Sequence, residues 1–150
     1  SQEVSQEMSH EADQEIQQKY MELQMLTAQL KQAQQQIEMF TQQIAEMGKV
    51  KESLEEISAS KAGTDILSPL GAGIFVKAKL ESAEEVVMNV GGEIAVNKSF
   101  KEAIEMVDSQ VAEMGHIIEE IKAGFQDGAS RVQGMQAELQ KLITQNQKSK

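Results

Sequence analysis

Ile66-Leu67-Ser68-Pro69-Leu70-Gly71-Ala72-Gly73-Ile74-Phe75-Val76-Lys77-Ala78 is where this chain changes its rhythm. Ile74, Val76, Ala78 and Leu80 alternate with Phe75, Lys77 and Lys79, the two-residue period of a strand. Gly71-Ala72-Gly73 turns the chain, so residues 66–70 read as a short first strand. Pro69 has no amide proton to give a ladder and marks an edge or a bulge. Val86, Met88 and Val90 repeat the alternation, and Ile94 and Val96 resume it after the tight turn Gly91-Gly92. With residues 81–84 as a connecting turn, residues 66–98 predict a pair of β-hairpins.

Outside that stretch the period is seven. In residues 10–62, Ile16, Leu23, Leu30, Ile37 and Ile44 form one series, and Leu26, Ala33, Phe40, Met47 and Leu54 form its partner three residues later. This is the a/d seam of a coiled coil, with Lys19 as a polar start and a drift towards Val50 and Ile57 near its end. Lys61-Ala62-Gly63 predicts the stop: a cation in the last turn, then a glycine able to take positive φ. In residues 99–146 the series are Ile104, Val111, Ile118, Phe125, Val132, Leu139 and Phe100, Val107, Met114, Ile121, Gly128, Met135, Leu142. Ser99 and Glu102 predict a reciprocal capping box at its start. Gly115, Gly124, Gly128 and Gly134 each cost up to about 1 kcal/mol against Ala, which predicts a softer second half of this helix. The Gln-rich run at residues 32–36 lies inside the heptads and reads as a solvated helix face.

Two helices of matching length around a compact insert fold back antiparallel, zip their seams and bring both ends of the chain to one far tip. The fold class is therefore α+β, mainly α: one prefixed and one suffixed helix in a long antiparallel coiled-coil hairpin with an inserted pair of β-hairpins, a single domain over residues 1–150. Isolated hairpins are at best marginal in water, so their open edges predict oligomerisation through the β region.

Composition narrows the function. The chain of 150 residues has no Trp, one Tyr and four Phe, which argues against a deep enclosed core or pocket. A net charge of −10 repels phosphate backbones, so no nucleic-acid partner is expected. The lack of Cys removes disulfides, thiolate chemistry and thiolate metal sites. No apolar run approaches the roughly 20 residues needed to cross a bilayer, and the polar first residues lack a signal core. A cytoplasmic protein without a membrane partner is expected.

No constellation supports an enzyme. Gly71-x-Gly73 lacks the third glycine and the Lys-Ser/Thr of a phosphate loop, and a strand follows it. His10 and His116 have no ligand set at helical spacing and read as solvated side chains. No cofactor or metal is expected. The methionines are more informative. Met21 and Met25 lie off the seam near the tip, beside Tyr20 and Leu26, and the antiparallel register sets Met135, Leu139, Leu142 and Ile143 opposite them. Flexible thioethers at such a place suit adaptable apolar binding.

Helix, two hairpins, helix, with residues 69–78 running Pro-Leu-Gly-Ala-Gly-Ile-Phe-Val-Lys-Ala and residues 87–96 running Val-Met-Asn-Val-Gly-Gly-Glu-Ile-Ala-Val, resembles the prefoldin alpha-subunit family of archaeal type. The resemblance covers about residues 10–146, and the two-hairpin insert distinguishes alpha from the single-hairpin beta type. Asn97 departs from the acidic residue that many relatives carry there, while Ser99 still caps. The resemblance implies a hetero-hexamer of two alpha and four beta-type prefoldin subunits, whose inserts build a β-barrel-like hub. It implies an ATP-independent holdase whose tips capture unfolded client proteins and deliver them to a group II chaperonin. On that reading the tip residues are Ile16, Tyr20, Met21, Leu23, Met25, Met135, Leu139, Leu142 and Ile143. The hub residues are Ile66, Pro69, Leu70, Ile74, Val76, Val87, Val90, Ile94 and Val96. The alternative is a coiled-coil spacer or tether with a β assembly hub and one specific partner.

Overall fold

A computed structural model describes residues 2–149. The order is α1 (Gln2–Ser58), β1 (Asp65–Gly71), β2 (Ile74–Lys79), β3 (Glu85–Gly91), β4 (Ile94–Ser99) and α2 (Phe100–Ser149). The protein is mainly helical, with two long helices and two small antiparallel hairpins. It gathers into two compact units: an end unit of the residues up to Phe40 and from Ile117 onward, and a central unit of Thr41–His116.

In the end unit the two helical segments run antiparallel. Along α1, from Asp13 through Lys19 to Leu30, the neighbours on α2 descend from Asn146 through Glu138 to Gly128. Ile16, Lys19, Leu23, Leu26, Leu30, Ala33, Ile37 and Phe40 are half-buried along the α1 seam. Ile118, Gly128 and Leu139 are buried on α2. Lys19 Nζ donates to Glu138 Oε2 at 3.0 Å.

The helix starts at Gln2 rather than near residue 10, because the seven-residue series continues backwards through Ser9 and Ala12, both half-buried. Small side chains hold the seam there without an apolar signature. The seam also keeps its register further than expected. Lys51, seven residues after Ile44, is half-buried and reaches Asp108 Oδ1 at 2.9 Å, whereas Val50 is 45% exposed. The drift begins only at Ile57.

In the central unit α1 ends at Ser58, and Gly63 does a different task from the one expected of it. It takes φ of 86°, but its amide donates to Leu80 O at 2.7 Å, and Leu80 N–H returns a bond to Thr64 O at 2.9 Å. The positive φ therefore starts the first hairpin's ladder rather than capping the helix. At α2, Ser99 Oγ accepts the Glu102 amide at 3.1 Å, the forward half of the capping box. The Glu102 carboxylate turns to Lys98 Nζ at 3.8 Å. Phe100, Ala103 and Val107, spaced three and four apart, form the buried stripe of this unit.

The two hairpins share one register. Asp65↔Lys79 through Gly71↔Ile74 corresponds, twenty positions on, to Glu85↔Ser99 through Gly91↔Ile94, with the register shift at the same place. A different residue stands beside each bulge. Pro69 stands beside it in the first hairpin, as expected of a residue with no amide proton. Asn89 stands there in the second, accepting the Gly91 amide at 3.0 Å and donating to Gly92 O at 3.3 Å. In the first turn Ala72 and Gly73 both have positive φ, at 52° and 77°, as a type I′ turn requires.

Candidate functional site

In the end unit, Ile16, Gln17, Tyr20, Met21, Leu139 and Ile143 line one groove of about 330 Å³. Tyr20 and Met21 follow Ile16 and Gln17 by one helical turn, and Ile143 stands one turn beyond the buried Leu139. Tyr20 is exposed, Met21 is 63% exposed and Ile143 is half-buried, so the floor is apolar and the rim is open.

Met25 and Met135 line a second groove with Glu22, Leu26, Gln29 and Arg131. Leu142 belongs to a third, with Ser5, Met8, Ala12 and Asn146 among its neighbours. Leu23 is half-buried in the seam. The expected tip residues are thus divided among separate surfaces rather than joined in one patch. Met21 and Met25, one turn apart and both outward, bridge the first two on the α1 side. Val4 and Met8 are exposed apolar residues that sequence reasoning missed, because the helix was not expected to reach them. Their four-residue spacing before the Ser9/Ala12 seam was the available signal.

The seam lysines are held charged. Hydrogen bonding to Glu138 and its negative charge raise the Lys19 pKa above 10.5, and Asp108 does the same for Lys51. Polar residues in a seam can fix register at some cost in stability, and each unit has one such lysine on a carboxylate of the other helix.

In the central unit, Pro69, Leu70, Ile74, Val76, Val87, Val90 and Ile94 are exposed, while Ile66 and Val96 are half-buried. The exposed set repeats with the hairpin geometry: Leu67, Leu70 and Ile74 match Val87, Val90 and Ile94. Leu67 and Phe75 are exposed as well and were absent from the expected set, although Leu67 is the counterpart of Val87. Each hairpin is its own two-stranded sheet with an unpaired edge on either side. Open edges beside apolar faces are pairing surfaces, and contiguous exposed apolar area marks interaction sites.

Among the described residues, no group of three His, Cys, Asp or Glu side chains could hold a metal ion. No helix among them is long and apolar enough to cross a membrane.

Residues 26–145 match the prefoldin subunit family model, and the chain belongs to the prefoldin family. Its two-hairpin insert and its relatives place it with the archaeal alpha-type subunits, as a prefoldin chaperone subunit. Prefoldin subunit alpha of Nitrosopumilus maritimus is 31% identical over 98 residues, covering 65% of this chain and 67% of that one. Prefoldin subunit alpha 1 of Thermococcus kodakarensis is 36% identical over 90 residues, covering 60% and 62%. Prefoldin subunit alpha of Methanococcus aeolicus is 27% identical over 131 residues, covering 87% and 89%. A chain in the cryo-EM structure of filamentous PFD from Methanocaldococcus jannaschii superposes with a TM-score of 0.71 over 79% of this chain and 98% of its own, at 18% identity. That likeness is one of fold.

Proposed function

We propose that this chain works as an ATP-independent holdase, capturing unfolded proteins on its end unit and passing them to a group II chaperonin. The observation that carries the reading is the exposure of Tyr20, Met21 and Met25 around grooves floored by Leu139 and Met135. Non-native chains present apolar segments, and several weak tethered contacts multiply into useful avidity. Release then needs no fuel, because each contact is weak and a competing chaperonin can take the client.

Assembly is the task of the hairpins. Their exposed, repeated apolar faces and free edges suit docking with beta-type subunits, in the hetero-hexamer of two alpha and four beta subunits that the family resemblance implies. Two equivalent hairpins give one chain two docking surfaces of the same kind.

Deleting residues 1–25 and 131–150 from the chain, with beta-type subunits present, tests the division of labour. The assembly should persist by native mass measurement while suppression of aggregation of several unrelated denatured proteins is lost. Unchanged suppression would overturn capture by the end unit. Activity towards a single partner alone would favour a tether.

A further inference from the structure

The two flanks of the helical pair in the end unit differ in chemistry. One carries Glu15, Lys19, Glu138 and Lys141 around a common groove, with Glu22 and Arg131 in the next. The other holds the groove of Ile16, Gln17, Tyr20, Met21, Leu139 and Ile143, which has no charged side chain in its lining. Helical spacing extends that neutrality. Gln17 and Gln24 bracket Tyr20 and Met21 at three- and four-residue intervals, and Gln136, Gln140, Ile143 and Gln147 form one stripe on α2. Asp13, one turn before Gln17, is the charged end of this flank, and its Oδ1 accepts from Asn146 Nδ2 at 2.7 Å. In a chain that is 25% charged, the groove itself is an apolar floor between exposed carboxamides.

A carboxamide both donates and accepts hydrogen bonds. A helical or folded ligand has already satisfied its backbone and gains little from such a fence. An extended non-native segment has open N–H and C=O groups, each an obligatory hydrogen-bonding group. We propose that this flank, and not the charged one, binds client segments in extended form. One apolar side chain enters between Tyr20 and Ile143, and the carboxamides of Gln17, Gln136 and Gln140 bond the segment's backbone. This deepens the capture function proposed above and rests on it. The site reads backbone and apolarity, and the uncharged lining of the groove makes it insensitive to the sign of the client's charge.

The test uses the full chain and an unstructured synthetic peptide with a central Leu-Val-Leu core and neutral polar flanks. Binding is followed by fluorescence anisotropy against three peptide variants: alternate backbone N-methylation, Lys flanks and Glu flanks. N-methylation should weaken binding about tenfold or more, since it removes several backbone donors. Exchanging Lys for Glu flanks, or raising salt, should change affinity by less than about threefold. Ile143→Glu should abolish binding with helicity unchanged by circular dichroism. Equal binding of the N-methylated peptide, or tighter binding of a stapled helical form, overturns backbone readout but leaves end-unit capture standing. Failure of the parent peptide to bind, or its indifference to Ile143→Glu, removes the capture reading at this groove and this inference with it.

Discussion

Leu30 occupies the space that a side chain at position 128 would need: its Cδ2 lies 2.6 Å from a Cβ placed on Gly128. Gly128 is buried on the α2 seam, so the glycine there is a socket for a leucine knob. Gly115, Gly124 and Gly134 have nothing within 4 Å of the same position. The four glycines of α2 therefore have different consequences despite equal propensity.

Ala substituted at Gly115, Gly124 or Gly134 should stabilise the protein by about 0.5–1 kcal/mol each in thermal or urea unfolding. Gly128→Ala should forfeit that gain, because Leu30 must shift. Gly128→Leu should cost about 1–3 kcal/mol by overpacking. A stabilisation by Gly128→Ala equal to the other three would contradict the socket.

Ala72 holds φ of 52° in the first hairpin turn, a left-handed conformation that costs an L-residue roughly 1–2 kcal/mol. Ala72→Asn creates the Asn-Gly pair favoured by type I′ turns and should slow amide exchange in β1 and β2. Ala72→Val should accelerate it. The second hairpin, with Gly92 at its positive-φ turn position, is the internal control.

The seam lysines make a prediction about alkaline pH. Both have folded pKa values raised above the ordinary 10.5 by a carboxylate partner. Their stabilisation is fully present below that value and disappears as pH climbs through the raised folded values. The thermal midpoint should fall above pH 10.5 in the parent protein. It should fall less in a Lys19→Arg/Lys51→Arg double variant, because guanidinium stays protonated there.

The hairpin surfaces predict graded assembly. Ile74→Asp or Ile94→Asp alone should remove one of two equivalent docking faces and give smaller assemblies with beta-type subunits. The double variant should leave the alpha chain unassembled. Native mass spectrometry separates these cases, and full-size assemblies from the double variant would exclude these faces from docking.

Much of this was legible in the chain because heptads and two-residue alternation are local patterns. The α2 seam, the positions of the hairpins and the Ser99 cap follow from residues within a few positions of one another. What was missed had either a weak local signal or a distant partner. Ser9 and Ala12 continue the seam with side chains too small to announce it. Lys51 takes a seam position from Val50 because its ammonium finds Asp108 on the other helix. Gly63 satisfies Leu80, seventeen residues on, rather than the end of its own helix.

Periodicity alone determined that the chain has two long amphipathic helices around two hairpins, since each element's apolar spacing is set by its own backbone repeat. It also placed Tyr20, Met21 and Ile143 outside the strict seams. Which flank of the helical pair each joins is a tertiary matter, because a flank exists only once one helix is set in register against another. That register put Tyr20, Met21 and Ile143 together on an uncharged groove and Met25 with Glu22 and Arg131 on a charged one. The same distinction applies to the hairpins: alternation predicted their strands, but only the paired registers revealed Leu67, Leu70 and Ile74 as the counterparts of Val87, Val90 and Ile94.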